Sequence, residues 1–230
     1  MIFAISSLIT YHNLMNPKLF LLQLSVALAV CSVQGQGILV YDQESSTNAG
    51  VGSGGAPIQQ DQPMGQSFTP TLSSVGFVQL EFDDGHPGNG LGATVFLNLW
   101  SGSISNGTLL GSTDPVFMPD YFGSGSGGFG FLTPTNFFFS TPVSVTPGTT
   151  YYIQPVVVQP GSDNLWGVIG GAFNYSGGTF YFNGAPDPNN SDLWFREGIV
   201  ATPEPTSVII ILAGAVGMYF CRRNSNKPLR

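Results

Sequence analysis

Between Gln36 and Ala201 the chain is interrupted every several residues by Gly, Pro, Ser, Thr or Asn, and no stretch there repeats with a helical period. That punctuation limits the body to short extended segments, the mark of an all-β sandwich or barrel. The segments between interruptions alternate. In Ala93–Trp100, Val95, Leu97 and Leu99 oppose Phe96, Asn98 and Trp100. In Val75–Phe82, Val78, Leu80 and Phe82 share one face while Gln79 and Glu81 share the other. A period of two with one polar face predicts half-buried strands of an antiparallel sheet.

The same signals predict strands at Ile38–Asp42, Gly65–Thr69, Thr108–Ser112, Gly128–Leu132, Asn136–Thr141, Tyr151–Val158, Leu165–Ile169, Thr179–Asn183 and Leu193–Glu197. Pro155 has no amide hydrogen to give a ladder, so an edge, a bulge or a break is expected there. Ser46–Pro63 and Asp120–Gly128 are rich in Gly and Ser and read as loops. The chain therefore divides into an N-terminal extension and leader (1–35), a strand with a flexible loop (36–64), a β domain (65–201), a C-terminal signal (202–223) and a basic tail (224–230). No repeat of 20–50 residues is visible, which argues against a solenoid or propeller.

Charge narrows the partners. Of six Lys and Arg, only Arg196 lies in the body, whereas of thirteen acids only Glu204 lies outside it. Twelve acids against one base cannot neutralise a phosphate backbone, so nucleic acid is excluded as a partner. The body has no cysteine, since Cys31 and Cys221 both flank it. A thiol nucleophile, a cysteine zinc site and a disulfide are thereby absent, and burial alone must hold the fold.

Catalytic signatures are sparse. A serine hydrolase needs a general base, and the body offers only His86, in the turn-rich Asp83–Gly90, without a nucleophile elbow. Glycoside hydrolysis needs two carboxylates, for which Glu81 and Glu197 are available on predicted strands. Solvated carboxylates on the wet face of a sheet are the commoner explanation, and no enzymatic activity is expected. No cofactor is required, although Asp83 and Asp84 in one oxygen-rich loop and Asp187 and Asp192 in another are candidate Ca²⁺ ligands. Neither loop has the spacing of an EF-hand, and Asx turns explain both without metal. Sugar rings stack on flat aromatic faces, which the three Trp and the Tyr residues provide. Trp100 and Trp194 fall in predicted strands and are assigned to packing; Trp166 and Tyr175 are the candidate stacking rings.

Both ends carry processing signals. Lys18, the apolar run Leu19–Val30 and the small residues after it follow the order of a secretory signal peptide, with cleavage expected between Gly35 and Gln36. Met15 reads as a natural start, which makes Met1–Leu14 an extension. A lipoprotein reading through Cys31 ranks lower, because Val30 before it is larger than that site requires. At the other end, Val208–Phe220 would make a helix of about 20 Å at about 1.5 Å per residue. A bilayer core of about 30 Å is only marginally spanned by that length, so membrane contact through residues 208–221 suits a temporary stop. Arg222 and Arg223 would lie on the cytoplasmic side. Pro203 and Pro205 keep the preceding chain extended and accessible.

Two resemblances follow. Pro203-Glu204-Pro205, the apolar segment and Arg222-Arg223 together resemble the PEP-CTERM protein-sorting signal of bacteria, a motif sometimes labelled an ice-binding protein C-terminal domain. The body has no Thr-x-Thr ladder that would face ice. The resemblance implies an exosortase-type sorting protease as partner and delivery through the inner membrane to the cell envelope or extracellular matrix. The stretches "GQSFTPTLSSVGFVQLEF", "VFLNLWSGSISNGTLLGST", "FSTPVSVTPGTTYYIQ" and "SGGTFYFNGAPDPNNSDLWFRE" resemble, in order, a β-sandwich module of bacterial extracellular proteins. This second resemblance implies a single antiparallel, jelly-roll-like sandwich similar to carbohydrate-binding modules. The expected function is that of an exported, envelope- or matrix-associated, non-catalytic β-sandwich. A carbohydrate-binding module for extracellular polysaccharide is the first alternative, and a glycoside hydrolase-like enzyme the second.

Overall fold

A computed structural model describes residues 37–52, 54–123, 134–159 and 161–201. All regular structure among them is β, and no helix is present among them. The strands in chain order are β1 (Ile38–Glu44), β2 (Gly54–Pro57), β3 (Gly65–Phe68), β4 (Ser74–Leu80), β5 (Phe82–Asp84), β6 (Ala93–Ser101), β7 (Thr108–Ser112) and β8 (Val116–Met118). They continue with β9 (Thr135–Ser144), β10 (Tyr151–Val157), β11 (Trp166–Gly171), β12 (Phe180–Phe182), β13 (Ala185–Pro186), β14 (Asp192–Leu193) and β15 (Phe195–Ala201).

The strands form three sheets. One runs β1-β15-β4-β9, and a seven-stranded sheet runs β13-β12-β3-β10-β6-β7 with β8 added beside β6. The third runs β14-β11-β2, with β5 also paired to β11. Every pairing among β2 to β15 is antiparallel. The first and third sheets are stitched together at one residue. The Ile169 amide donates to the Glu81 carbonyl, and the Ile169 carbonyl accepts the Trp194 amide. Glu81 is the corner between β4 and β5, and Trp194 the corner between β14 and β15, so the chain crosses between the two sheets at adjacent points.

The alternation read from the sequence decides which side is the core. β6 and β10 bury every second residue, placing Val95, Leu97, Leu99 and Ile153 in one cluster. Phe68 joins them from β3. Against them pack Val78, Leu80, Phe137 and Phe195 from the first sheet and Phe82, Trp166 and Val168 from the third. This is a sandwich-like arrangement of two layers, each buried side chain contributing about 1.5–3 kcal/mol. Residues 39–201 form one compact unit. Gly35, Gln36, the expected strand Gly128–Leu132 and the whole C-terminal signal, from Pro203-Glu204-Pro205 through Arg222-Arg223, lie outside the described residues. Among the described residues no helix is long and apolar enough to cross a membrane.

Two local expectations are corrected and one is met. Pro155 lies within β10, opposite Leu97 of β6, at a local edge where β3 no longer pairs. The register of β3 with β10 ends at Ile153, and the Pro155 carbonyl instead accepts the Gln62 side-chain amide at 2.8 Å. The Leu97 amide and carbonyl both bond Thr113, so no ladder bond at this point requires an amide on Pro155. Gln79 and Glu81 are buried and not on a wet face, being 6% and 0% exposed. The Gly50 amide bonds one Glu81 carboxylate oxygen and the Gln79 side-chain N–H bonds Asn136, while Glu81 Oε2 and Gln79 Oε1 are buried without a hydrogen-bond partner. Finally, the Gly/Ser-rich segment Ser46–Pro63 contains β2, which backbone pairing with β11 holds despite its composition.

Candidate functional site

The outward face of the seven-stranded sheet gathers the aromatic and amide side chains that the core rejects. Directly opposed residues in an antiparallel pair share a face. Tyr152 of β10 opposes Trp100 of β6, which in turn opposes Leu109 of β7. Two residues along, Gln154 opposes Asn98, and Asn98 opposes Ser112. The face thus carries a row of rings and apolar surface across three strands, with a parallel row of amides and a hydroxyl beside it. Tyr181 of β12 opposes Gly65 of β3. With no side chain at Gly65, the Tyr181 ring reaches Tyr152 edge-on, with centroids 5.4 Å apart. A Cβ at residue 65 would collide with the Ile153 carbonyl oxygen, so glycine is required there.

The polar row is held by its own hydrogen bonds. Gln154 Oε1 accepts the Trp100 indole N–H at 2.7 Å, and Gln154 Nε2 donates to Gln62 Oε1 at 2.7 Å. Ser112 Oγ donates to Asn98 Oδ1 at 2.6 Å. Fixing the indole from one side leaves its face in a set orientation, the property a stacking platform needs. Burial and the neighbouring Tyr181 raise the Tyr152 hydroxyl above its ordinary value, so Tyr152 is neutral at physiological pH. Trp100, Tyr152 and Tyr181 are all partly exposed.

The residues singled out from the sequence lie elsewhere. Trp166 is fully buried in the core, its ring 6.3 Å from that of Phe122, and offers no face to a ligand. Tyr175 packs edge-on against Phe195, while its hydroxyl donates to Gln43 and its amide to Asp192. Burial pushes the Tyr175 phenol up to about 12. Both rings serve packing, and Trp100, assigned to packing, is the one that faces outward. Alternation within Ala93–Trp100 was the signal: Trp100 has the parity of Asn98, a polar residue.

The carboxylates do not converge. Glu197 opposes Val78, with whose face it points into the core beside Phe195. Glu81 follows Leu80 and has the opposite parity, so the two carboxylates lie on opposite faces of the sheet. Their surroundings differ accordingly. Burial raises Glu81 despite the Gly50 amide and the charge of Arg196. Arg196 itself pairs with Glu44 at 3.2 Å and lies over the rings of Trp194 and Tyr41. Burial pushes Glu197 up to about 9, and the adjacent Asp42 adds to the rise.

Among the candidate calcium ligands, Asp84 accepts the His86 and Tyr121 amides, and Asp187 accepts those of Asn189 and Ser191. Asp192 accepts Gln66 Nε2 and the Tyr175 amide. One Asp83 oxygen is buried without a hydrogen-bond partner, facing the backbone of Gly55 and Gly167. Among the described residues no three His, Cys, Asp or Glu side chains gather to hold a metal ion. Asp84 therefore caps the backbone of the His86 turn. The His86 imidazole lies instead 3.6 Å from the Asp163 carboxylate, on a groove that also includes Ser162. Ser162 Oγ is engaged by the Thr94 amide. The chain matches no family model, and no curated protein matches it.

Proposed function

We propose that the protein is an exported, non-catalytic β-sandwich of jelly-roll type that binds extracellular polysaccharide through the outward face of its seven-stranded sheet. The observation that carries this reading is the side-by-side arrangement of Tyr152, Trp100 and Leu109 with Gln154, Asn98 and Ser112 on that face. Sugars present apolar ring faces and a rim of hydroxyls, and a surface of rings beside amides complements both. The separation of Glu81 from Glu197 supports binding over hydrolysis, because glycoside cleavage needs two carboxyl groups on either side of one bond. Export rests on the leader ending at Gly35. Delivery to the envelope or matrix rests on Pro203-Glu204-Pro205, which an exosortase-type protease would read while residues 208–221 pause in the membrane.

Affinity electrophoresis against a panel of soluble polysaccharides tests the reading. Retardation by at least one polysaccharide is expected, with loss of retardation in Trp100→Ala. Unretarded migration through every gel would overturn the binding reading.

A further inference from the structure

The face that rests on this reading differs in charge from the rest of the molecule. Twelve acids and one base give the body a formal net charge of −11. Yet none of the outward positions set by the strand register carries a charge, from Tyr181 on β12 through Gln154 and Asn98 to Ser112 on β7. An anionic polymer would be repelled by the acids of the surrounding body and would meet no cation on the face. A cationic polymer would find no carboxylate there to pair with. The amides and hydroxyl supply both donors and acceptors, which suits uncharged hydroxyl groups.

Geometry sets the direction of the ligand. The apolar groups succeed one another across the strands, and the polar groups form a second row about 7 Å away, two residues along each strand. Only a chain running across the strands meets rings along one flank and amides along the other. From β12 to β7 is four strand spacings, about 19 Å at about 4.8 Å each. That is the reach of a short oligosaccharide, not of one sugar.

We infer that this face takes an uncharged polysaccharide lying across strands β12, β3, β10, β6 and β7, with Tyr152 and Trp100 stacking on its sugar rings and Gln154 acting as a positioning residue for Trp100. Gln154 joins Gln62 to the Trp100 indole and so fixes a ring that it does not itself replace.

Isothermal titration tests the inference with soluble β-glucan, galactomannan and dextran as neutral probes and alginate and polygalacturonate as anionic ones. Binding of at least one neutral polymer is expected, unchanged between low and high salt, and competed by its oligosaccharides but not by its monosaccharide. Trp100→Ala and Tyr152→Ala should each weaken it about tenfold or more. Gln154→Leu should weaken it less, and should shift the Trp100 emission in the unliganded protein, a readout that loss of a direct contact would not produce. Unchanged melting temperatures of the three variants show that the fold persists; if one unfolds, Trp100→Leu, which keeps apolar volume without a flat aromatic face, replaces it. Salt-sensitive binding of an anionic polymer that Trp100→Ala abolishes keeps the binding face but overturns its preference for neutral chains. Binding of neutral polymer that survives both ring substitutions overturns the placement. Absence of binding to all five removes the reading on which the inference rests. Self-association abolished by Trp100→Ala would assign the face to a second copy of the chain and overturn the inference as well.

Discussion

Glu197→Gln tests the core electrostatics where the structure makes its largest demand. Glu197 is fully buried beside the Asp42 carboxyl and the Gln43 amide. Burial and the nearby Asp42 push its folded-state value to about 9, against an ordinary 4.5. Asp42 is the anionic partner. Burial works against its ionisation, but the Thr71 hydroxyl and the Leu72 and Thr71 amides outweigh it and hold the carboxyl below its usual range. As pH rises above 4.5 the unfolded chain loses the Glu197 proton while the folded chain retains it. Stability from this group is therefore full below about 4.5 and falls by about 1.4 kcal/mol per pH unit until about 9. At pH 7 the loss is about 3 kcal/mol.

Glutamine keeps the volume and retains an N–H to give the Asp42 carboxylate, while having no proton to lose. Glu197→Gln should therefore match the wild type near pH 4.5 and exceed it by about 3 kcal/mol at pH 7. That gain corresponds to a rise in Tm of about 6–12 °C for a domain of this size. Urea unfolding curves measured at intervals from pH 4.5 to 9 give the difference directly. Parallel stability curves for the two proteins, or a less stable variant at pH 7, would refute the assignment of a protonated Glu197.

Other outcomes follow from single contacts. Gly65→Ala should lower stability by about 1–3 kcal/mol, because its Cβ meets the Ile153 carbonyl; an unchanged urea midpoint would show that the close approach is not required. Trp166→Ala should lose about 3–5 kcal/mol from the core while Trp100→Ala loses far less, and equal losses would contradict the burial of one and the exposure of the other. Millimolar calcium and chelator should give the same melting temperature, because protein donors already engage Asp84, Asp187 and Asp192; a rise with calcium would reveal a native-state site. Glu204→Ala should leave insertion of residues 208–221 intact yet trap the full-length chain in the membrane. Intact mass showing Arg230 still attached to the wild-type protein at its final location would defeat the sorting signal.

The layers were legible because period-two alternation in Ala93–Trp100 and Val75–Phe82 is a direct consequence of the pleat. The core residues Val95, Leu97, Leu99, Val78 and Leu80 followed from it. Burial of the second face of β4 was not legible. Nothing in "VGFVQLEF" reveals that Gly50 and Asn136, distant in sequence, would bond Glu81 and Gln79. The aromatic face was partly legible: the parity of Trp100 places it with Asn98, but only the register shows Tyr152 and Leu109 as its neighbours. Trp166 misled because Trp166–Gly171 lies in a sheet where both sides are covered, so its residues are buried without alternation. The separation of Glu81 from Glu197 required the β4–β15 register, which no local pattern encodes.

Tryptophan fluorescence during ligand titration tests the binding face most directly. Trp166 and Trp194 are fully buried, whereas Trp100 lies on the outward face with its indole N–H bonded to Gln154. A polysaccharide that retards the protein in affinity electrophoresis should change the emission by covering Trp100 alone. Trp100→Phe, which keeps a ring for stacking, should retain binding by calorimetry while the fluorescence response disappears. A full fluorescence response in Trp100→Phe would place the ligand near Trp166 or Trp194 and contradict the assignment of the site to the seven-stranded sheet.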